Sequence, residues 1–387
     1  MYESMRRTRR AIAACLSLAV TFIGTAGPAS AAAVDCGDNS GPFEVEVIAR
    51  HLEVPWAMAF SPDGRLFVTE RPGRIRVIED GTLLHKPWTT IPVPSNQGTE
   101  IGLMGMAIDP DFEDNGYVYV CYTYFRTEQG LLANRVVRIH DRDGVGDERT
   151  TLLQDIPGAL YHDGCAVAFG PDRKLYVTTG DARQEELAAD IGSLAGKILR
   201  MNPDGSVPPD NPFENSLVWS YGHRNPQGLA WQPDTNVLFS TEHGTNNINE
   251  LNVIEAGGNY GWPTERFGKP DPRFRTPILV HESPPGGATF VTSDLFPGLQ
   301  GSLLFAGLAR QQLYLVGFNK GTQTISEQRH FLDNAYGRLR DVIEGPDGYL
   351  YVSTSNRDGR GMPSPDDDRI LKLKPAVCGN AAGTQPD

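Results

Sequence analysis

From Glu44 onward, apolar positions come in short runs broken by turns, and no long stretch has the spacing of a strongly amphipathic helix. One unit recurs: an apolar run, a turn rich in Pro, Asp and Gly, then a second apolar run. It appears at Ala57–Glu70 (AMAFSPDGRLFVTE), Gly105–Thr123, Ala166–Asp181 (AVAFGPDRKLYVTTGD), Gly228–Glu242 (GLAWQPDTNVLFSTE), Ala288–Ala306 and Asp341–Ser353 (DVIEGPDGYLYVS). A third strand follows each unit, at Arg74–Ile78, Arg135–Ile139, Lys197–Met201, Glu250–Ile254, Gln312–Gly317 and Arg369–Leu373. The units recur roughly every 50–60 residues, the spacing of propeller blades. The pattern therefore predicts an all-β fold, a six-bladed β-propeller over residues 43–375. Glu44–Ala49 alternates strictly and precedes the first unit, so it is expected to complete the last blade and close the ring. Glu185–Ile191 is the best helical candidate, inside a loop.

The ends of the chain read differently. Arg6, Arg7, Arg9 and Arg10 precede the apolar run Ala11–Gly24, and Ala29-Ser30-Ala31 fits a cleavage site. Residues 1–31 thus read as an export signal, too short in its apolar part to stay in a bilayer. Residues 32–42 and 376–387 read as terminal segments. The formal charge is −13; the signal carries four Arg and one Glu, so without it the charge is −16. That acidity argues against a nucleic-acid partner, and no other stretch is apolar enough for membrane insertion. The remaining cysteines are Cys36, Cys121, Cys165 and Cys378. An even count in an exported chain points to disulfides. Cys36 and Cys378 flank the two strands expected to meet at ring closure, which pairs them and leaves Cys121 with Cys165. No cysteine spacing resembles a zinc site.

Candidate chemistry gathers at equivalent places. His162, the Tyr221–Gly228 motif YGHRNPQG and the alternating Arg338 and Arg340 each stand just before a first strand. Glu242-His243-Gly244-Thr245 follows a second strand. In a propeller these positions converge around one mouth of the central channel. Two arginines facing the same way suit a carboxylate-bearing ligand. His162 suits proton transfer, with Asp163 or Tyr161 beside it to orient the ring. Long insertions at Pro92–Gly102, Gly180–Ala195, Gly244–Asn249 and Asn259–Pro285 are expected to be functional.

Four motifs carry a resemblance: YGHRNPQG, GGNYGWP (Gly257–Pro263), SLAGKILRMNPDGSVPPDNPF (Ser193–Phe213) and His162-Asp163-Gly164. Together they resemble the soluble quinoprotein glucose and aldose sugar dehydrogenases, from about Val54 to Leu373. The resemblance implies a propeller that binds pyrroloquinoline quinone (PQQ) and calcium and oxidises the anomeric hydroxyl of an aldose to a lactone. It implies His162 as general base, and Arg224 and Asn225 near the quinone carbonyls. Arg338 and Arg340 would hold the cofactor carboxylates, Glu100 would lie near the cofactor, and the carbonyls of Gly244 and Thr245 would bind calcium. The chain departs from the family at Ala309, where a Lys is usual; Arg310 beside it is the substitute carboxylate partner. Thr245 replaces a Pro, Cys165 and Ala166 replace Gly-Arg, and Thr289 stands where glucose dehydrogenases have an aromatic near the sugar. The last change is nearer the broader aldose sugar dehydrogenases. The expected partners are an aldose substrate and an external electron acceptor. The alternative is an extracellular, non-catalytic propeller that binds a glycan or a protein.

Overall fold

The structure is a computed structural model that describes residues 41–126, 130–264 and 271–376. The expected export signal, Cys36 and Cys378 lie outside the described residues. Six antiparallel sheets form, each of four strands or more; five take their strands from one repeat each, and the sixth adds Phe43–Ala49 to three strands of the last unit. The first strands of blades 1 to 6 are Pro55–Phe60, Leu103–Ile108, Gly164–Phe169, Pro226–Trp231, Pro285–Phe290 and Leu339–Glu344. Each neighbours the next, and the sixth returns to the first, so the propeller is closed.

Side-chain alternation decides how the blades pack. In the second strand of blade 2, Tyr117–Phe125, Val118 and Val120 point toward blade 1 and join Phe67, Val77 and Trp88. Tyr119 and Cys121 point the other way and join Val167, Val177 and Leu199 of blade 3. A strand with period two thus feeds two cores at once. The same holds around the ring, with one buried apolar cluster at each of the six junctions. This is why the second strands Leu66–Glu70, Leu175–Thr179 and Leu350–Thr354 are buried at every position and read as continuous apolar or β-branched runs.

At the centre the first strands converge, and at some positions the backbones approach too closely for a side chain. A Cβ on Gly286 would stand 1.9 Å from the Arg340 carbonyl oxygen of the next blade. The channel left between the first strands has a volume of about 350 Å³ and is lined by Trp56, Gly105, Ala166, Gln227, Gly286 and Arg340, one from each blade.

The ring closes as the alternation predicts. Phe43–Ala49 pairs antiparallel with Ile370–Pro375, with Val45 opposite Leu373 and Val47 opposite Leu371. Cys121 and Cys165 form a disulfide between blades 2 and 3, with Cα atoms 5.5 Å apart. Closing its 44-residue span stabilises by about 4 kcal/mol in the chain-entropy model. The predicted helix at Glu185–Ile191 is a single 3-10 turn, Glu185–Ala188.

Phe43 is the apolar anchor of the closure. It is buried, and its ring meets Phe296 and Phe331 edge-on at 5.7 and 5.2 Å. Phe43→Ala is expected to cost about 3–5 kcal/mol, read as a lower urea midpoint. A midpoint within error of the parent would show that the closing strand contributes little.

Candidate active site

Strand starts and strand ends alternate in an antiparallel blade, so residues before a first strand and after a second strand share one face. Four insertions rise from this face, and each supplies a site group: Glu100, Asp181, Thr245 and Trp262.

His162 stands two residues before the first strand of blade 3, with φ at +67°. Such a conformation costs about 1–3 kcal/mol and is held from outside. Glu100 Oε2 accepts the His162 N–H at 2.9 Å, and Asn225 Oδ1 accepts the Gly164 N–H at 3.0 Å. The ring is oriented by Asp181, whose Oδ1 lies 2.7 Å from Nδ1. This corrects the expectation from sequence neighbours. Asp163 Oδ1 instead accepts from Asn134 at 2.7 Å, and Tyr161 lies under the Arg360 guanidinium. Asp181 is fully buried and also accepts from Trp262 Nε1 at 2.8 Å and from the Arg183 N–H at 2.8 Å. It reaches His162 because Gly180 has no side chain; a Cβ there would stand 1.9 Å from the His162 carbonyl oxygen. With Nδ1 bound to Asp181, Nε2 has no protein partner among the described residues and is the nitrogen left to meet a substrate.

Asn225 spans the site. Its Nδ2 donates to Glu100 at 3.2 and 3.3 Å, and its Oδ1 also accepts from Gln227. Its amide is thus committed to joining Glu100, Gly164 and Gln227. Arg224 NH1 donates to the His243 carbonyl at 3.0 Å, and its guanidinium lies 5.4 Å from the Trp262 ring centre. Burial works to raise the Glu100 carboxyl, but the imidazoles of His243 and His162, the His162 N–H and Arg340 outweigh it and hold the group below the usual carboxylate range. Burial lowers His243 to about 3, and the Glu100 charge works the other way.

Arg338 and Arg340 both face Asp358. Arg338 donates through Nε and NH2 at 2.9 and 2.8 Å. Arg340 lies 3.7 Å from the same oxygen and over the Trp56 ring at 4.0 Å. Burial lowers its guanidinium to about 10. Sequence reasoning missed Arg71, which follows the second strand of blade 1. It is buried, donates to the Thr99 carbonyl, and lines a polar cavity of about 380 Å³ with Asn356 and Arg357. Among the described residues the Nε atoms of Arg71, Arg224 and Arg340 are buried without a partner, as are those of Arg76, Arg135 and Arg329 on third and fourth strands. Unpaired buried donors of this kind are costly unless a ligand satisfies them.

Two expected residues lie elsewhere. Arg310 is exposed and paired with Glu282, so it does not join the buried arginines. Thr289 is the fifth residue of the blade 5 first strand, toward the end remote from the site face. Gly244 and Thr245 end the strand Leu238–Thr245, before a turn in which Asn246 and Asn247 both have positive φ. They border a cavity of about 20 Å³ that Arg224, Glu242, Glu250 and Trp262 also line, room for one water-sized sphere. Among the described residues no cluster of three or more His, Cys, Asp or Glu side chains is placed to hold a metal. Ser220, His223 and Glu242 form a hydrogen-bonded relay of 2.8 and 2.9 Å. Ser220 is completely buried, so that relay is structural and no hydrolase nucleophile.

Residues 52–363 match the family model described as Glucose / Sorbosone dehydrogenase. An aldose sugar dehydrogenase of Escherichia coli is 32% identical over 356 residues, covering 86% of this chain and 92% of that protein. A quinoprotein glucose dehydrogenase of Acinetobacter calcoaceticus is 33% identical over 263 residues, covering 60% of this chain and 55% of that protein. The structure of the PQQ-bound aldose sugar dehydrogenase of Streptomyces coelicolor matches with a TM-score of 0.77 and 36% identity, over 86% of this chain and 98% of that one. The chain belongs to the Glucose / Sorbosone dehydrogenase family, a family of sugar-oxidising propellers.

The pair Glu100 and Asp163 titrates apart. Burial raises the Asp163 carboxyl to about 7; the Asn134 amide opposes this and the Glu100 charge adds to it. One of its oxygens has no partner, which suits a protonated acid. An unfolded Asp titrates near 3.9, so the native state holds a proton that the unfolded chain releases between about pH 4 and pH 7. Stability therefore falls as pH rises through that window. Asp163→Asn is expected to flatten this fall, measured by urea unfolding at about pH 4.5 and 7.5. An unchanged pH dependence would show that Asp163 is ionised throughout.

Proposed function

We propose that the protein is an exported, PQQ- and calcium-dependent dehydrogenase that oxidises the anomeric hydroxyl of aldose sugars to lactones and passes electrons to an external acceptor. The observation that carries the reading is the His162–Asp181–Trp262 relay beside three arginines, Arg71, Arg224 and Arg340, whose buried Nε donors have no partner among the described residues. A rigid polycarboxylate fits that donor set: Arg338 and Arg340 present two guanidiniums, Arg71 a third and Arg224 a fourth near His162. With Ala309 and Arg310 exposed, carboxylate binding falls to these buried groups. Calcium fits the Gly244–Thr245 turn because calcium takes carbonyl oxygens, and a site built from backbone needs no acidic cluster.

PQQ supplies, when bound, a quinone carbonyl able to accept hydride. The chain's own residues do the remaining work. His162 Nε2 takes the proton from the sugar hydroxyl. Asp181 fixes the tautomer and supports the imidazolium that forms. Arg224 would present positive charge to the quinone carbonyl region, held there by the His243 carbonyl and the Trp262 ring. Glu100 and Asn225 hold the kinked backbone that aims His162. The exported location rests on the Arg6–Ala31 pattern, and the Cys121–Cys165 disulfide agrees with an oxidising compartment. The alternative, a non-catalytic propeller that binds a glycan or protein, gives no reason for a strained, carboxylate-oriented histidine beside unpaired arginines.

The test is turnover per bound quinone in His162→Ala. As a base, His162 is worth about 10²–10⁴-fold in kcat, with quinone affinity and thermal melting near those of the parent. Near-normal turnover per bound quinone would remove His162 from the chemistry.

A further inference from the structure

Lys197 opens the third strand of blade 3 and is completely buried. Its partners are carbonyl oxygens and not a carboxylate. Nζ donates to Leu187 at 2.8 Å, Ala188 at 2.9 Å and Ala195 at 2.5 Å. An ammonium has three protons, and all three are used. Burial pulls this group down to about 7, and the charge of Asp190 works the other way. The three acceptors favour the charged form. Leu187 and Ala188 end the 3-10 turn, the end at which a cation is favoured.

The acceptors all belong to the loop that leaves Asp181 and returns at Gly196. That loop is tied at its base by the Gly196 N–H to the Gly180 carbonyl at 2.8 Å. It also reaches the other half of the site. The Ala188 carbonyl accepts the Gly222 N–H at 2.8 Å, and the Gly196 carbonyl accepts the His223 N–H at 3.2 Å. Gly222 and His223 lead into Arg224, whose carbonyl accepts the Asp181 N–H at 2.8 Å. A circuit therefore runs from Asp181 through the loop to Lys197, across Ala188 to Gly222, and through Arg224 back to Asp181. The ammonium is the one charged tie in it, and what it fixes is the carboxylate that orients His162.

We propose that Lys197 is a positioning residue for the His162–Asp181 pair, acting through the Ala182–Ala195 loop. It touches neither sugar nor cofactor. The proposal rests on His162 acting in the chemistry, so its test includes a readout that needs no turnover. Histidine-labelled apoprotein is expected to show a low-field proton for His162 Nδ1–H bonded to Asp181, assigned by its loss in Asp181→Asn.

Lys197→Met keeps the chain length and removes the charge; Lys197→Gln keeps two N–H donors. Lys197→Met is expected to fold, to weaken or lose the low-field signal, and to lower kcat per bound quinone by about 10–10²-fold, with a smaller change in sugar KM. Lys197→Gln is expected to fall between it and the parent. Folded variants with the parent's signal and the parent's turnover would overturn the proposal. Failure of both variants to fold would also overturn it, because Lys197 would then serve stability alone. Absence of sugar oxidation in the parent would sink the dehydrogenase reading and leave the signal as the test of this one.

Discussion

A carboxylate removed from water has to be fully partnered, or its burial costs more than the fold can offset. Asp181 meets that demand and in doing so assembles the site. It is 0% exposed and accepts from the His162 ring, the Trp262 indole and the Arg183 backbone, while its own N–H is taken by Arg224. Three of those partners come from other loops. Displacing Asp181 would leave an unpaired buried charge, so His162, Trp262 and Arg224 are bound to one geometry. Glu100 does the same on the other side, where it gathers His162, Asp163 and Asn225 from two further blades.

The propeller makes such convergence inexpensive. Every blade brings a strand start and a strand end to the same face, so residues far apart in sequence meet without long connections. Rigidity comes from the six inter-blade cores and the two-strand closure, which leave the site loops free to be polar. Besides one oxygen of Asp163, the atoms left unpaired on this face among the described residues include the Nε atoms of Arg71, Arg224 and Arg340. In a well-packed ring with all blades closed, a ligand with several carboxylates is the natural partner for them.

The repeat, the blade number and the closing strand were legible because alternation and turn residues are local signals. The outer strands were not. Val145–Pro157 is largely exposed and polar, Leu279–His281 has three residues, and Ile325–Phe331 is mostly exposed. They need only backbone pairing to the third strand, which leaves little trace in side chains. His162, Arg224, Glu100, Arg338 and Arg340 were found from motifs and do gather on one face. Asp181 lies 19 residues from the histidine it orients, and Arg71 belongs to no motif, so neither is legible from its neighbours in the chain. A signal existed: in four of the six units a polar residue stands at or within two residues of the end of the apolar run of the second strand, Glu70, Asp181, Glu242 and Asn356. Arg310 was misplaced because a substitute was sought next to Ala309, whereas the buried arginines of other blades already supply the charge.

The proposed function makes this face a receptor for an anionic quinone poised against a sugar. Adding PQQ and calcium to the purified protein, then an aldose, while following melting temperature and quinone absorbance, tests it most directly. The account predicts a rise in melting temperature, with stabilisation of about 2.7 kcal/mol once free PQQ is a hundredfold above its Kd, and bleaching of the bound quinone when the sugar is added. Saturating PQQ that leaves the melting temperature unmoved, or bound quinone that no aldose reduces, would contradict it.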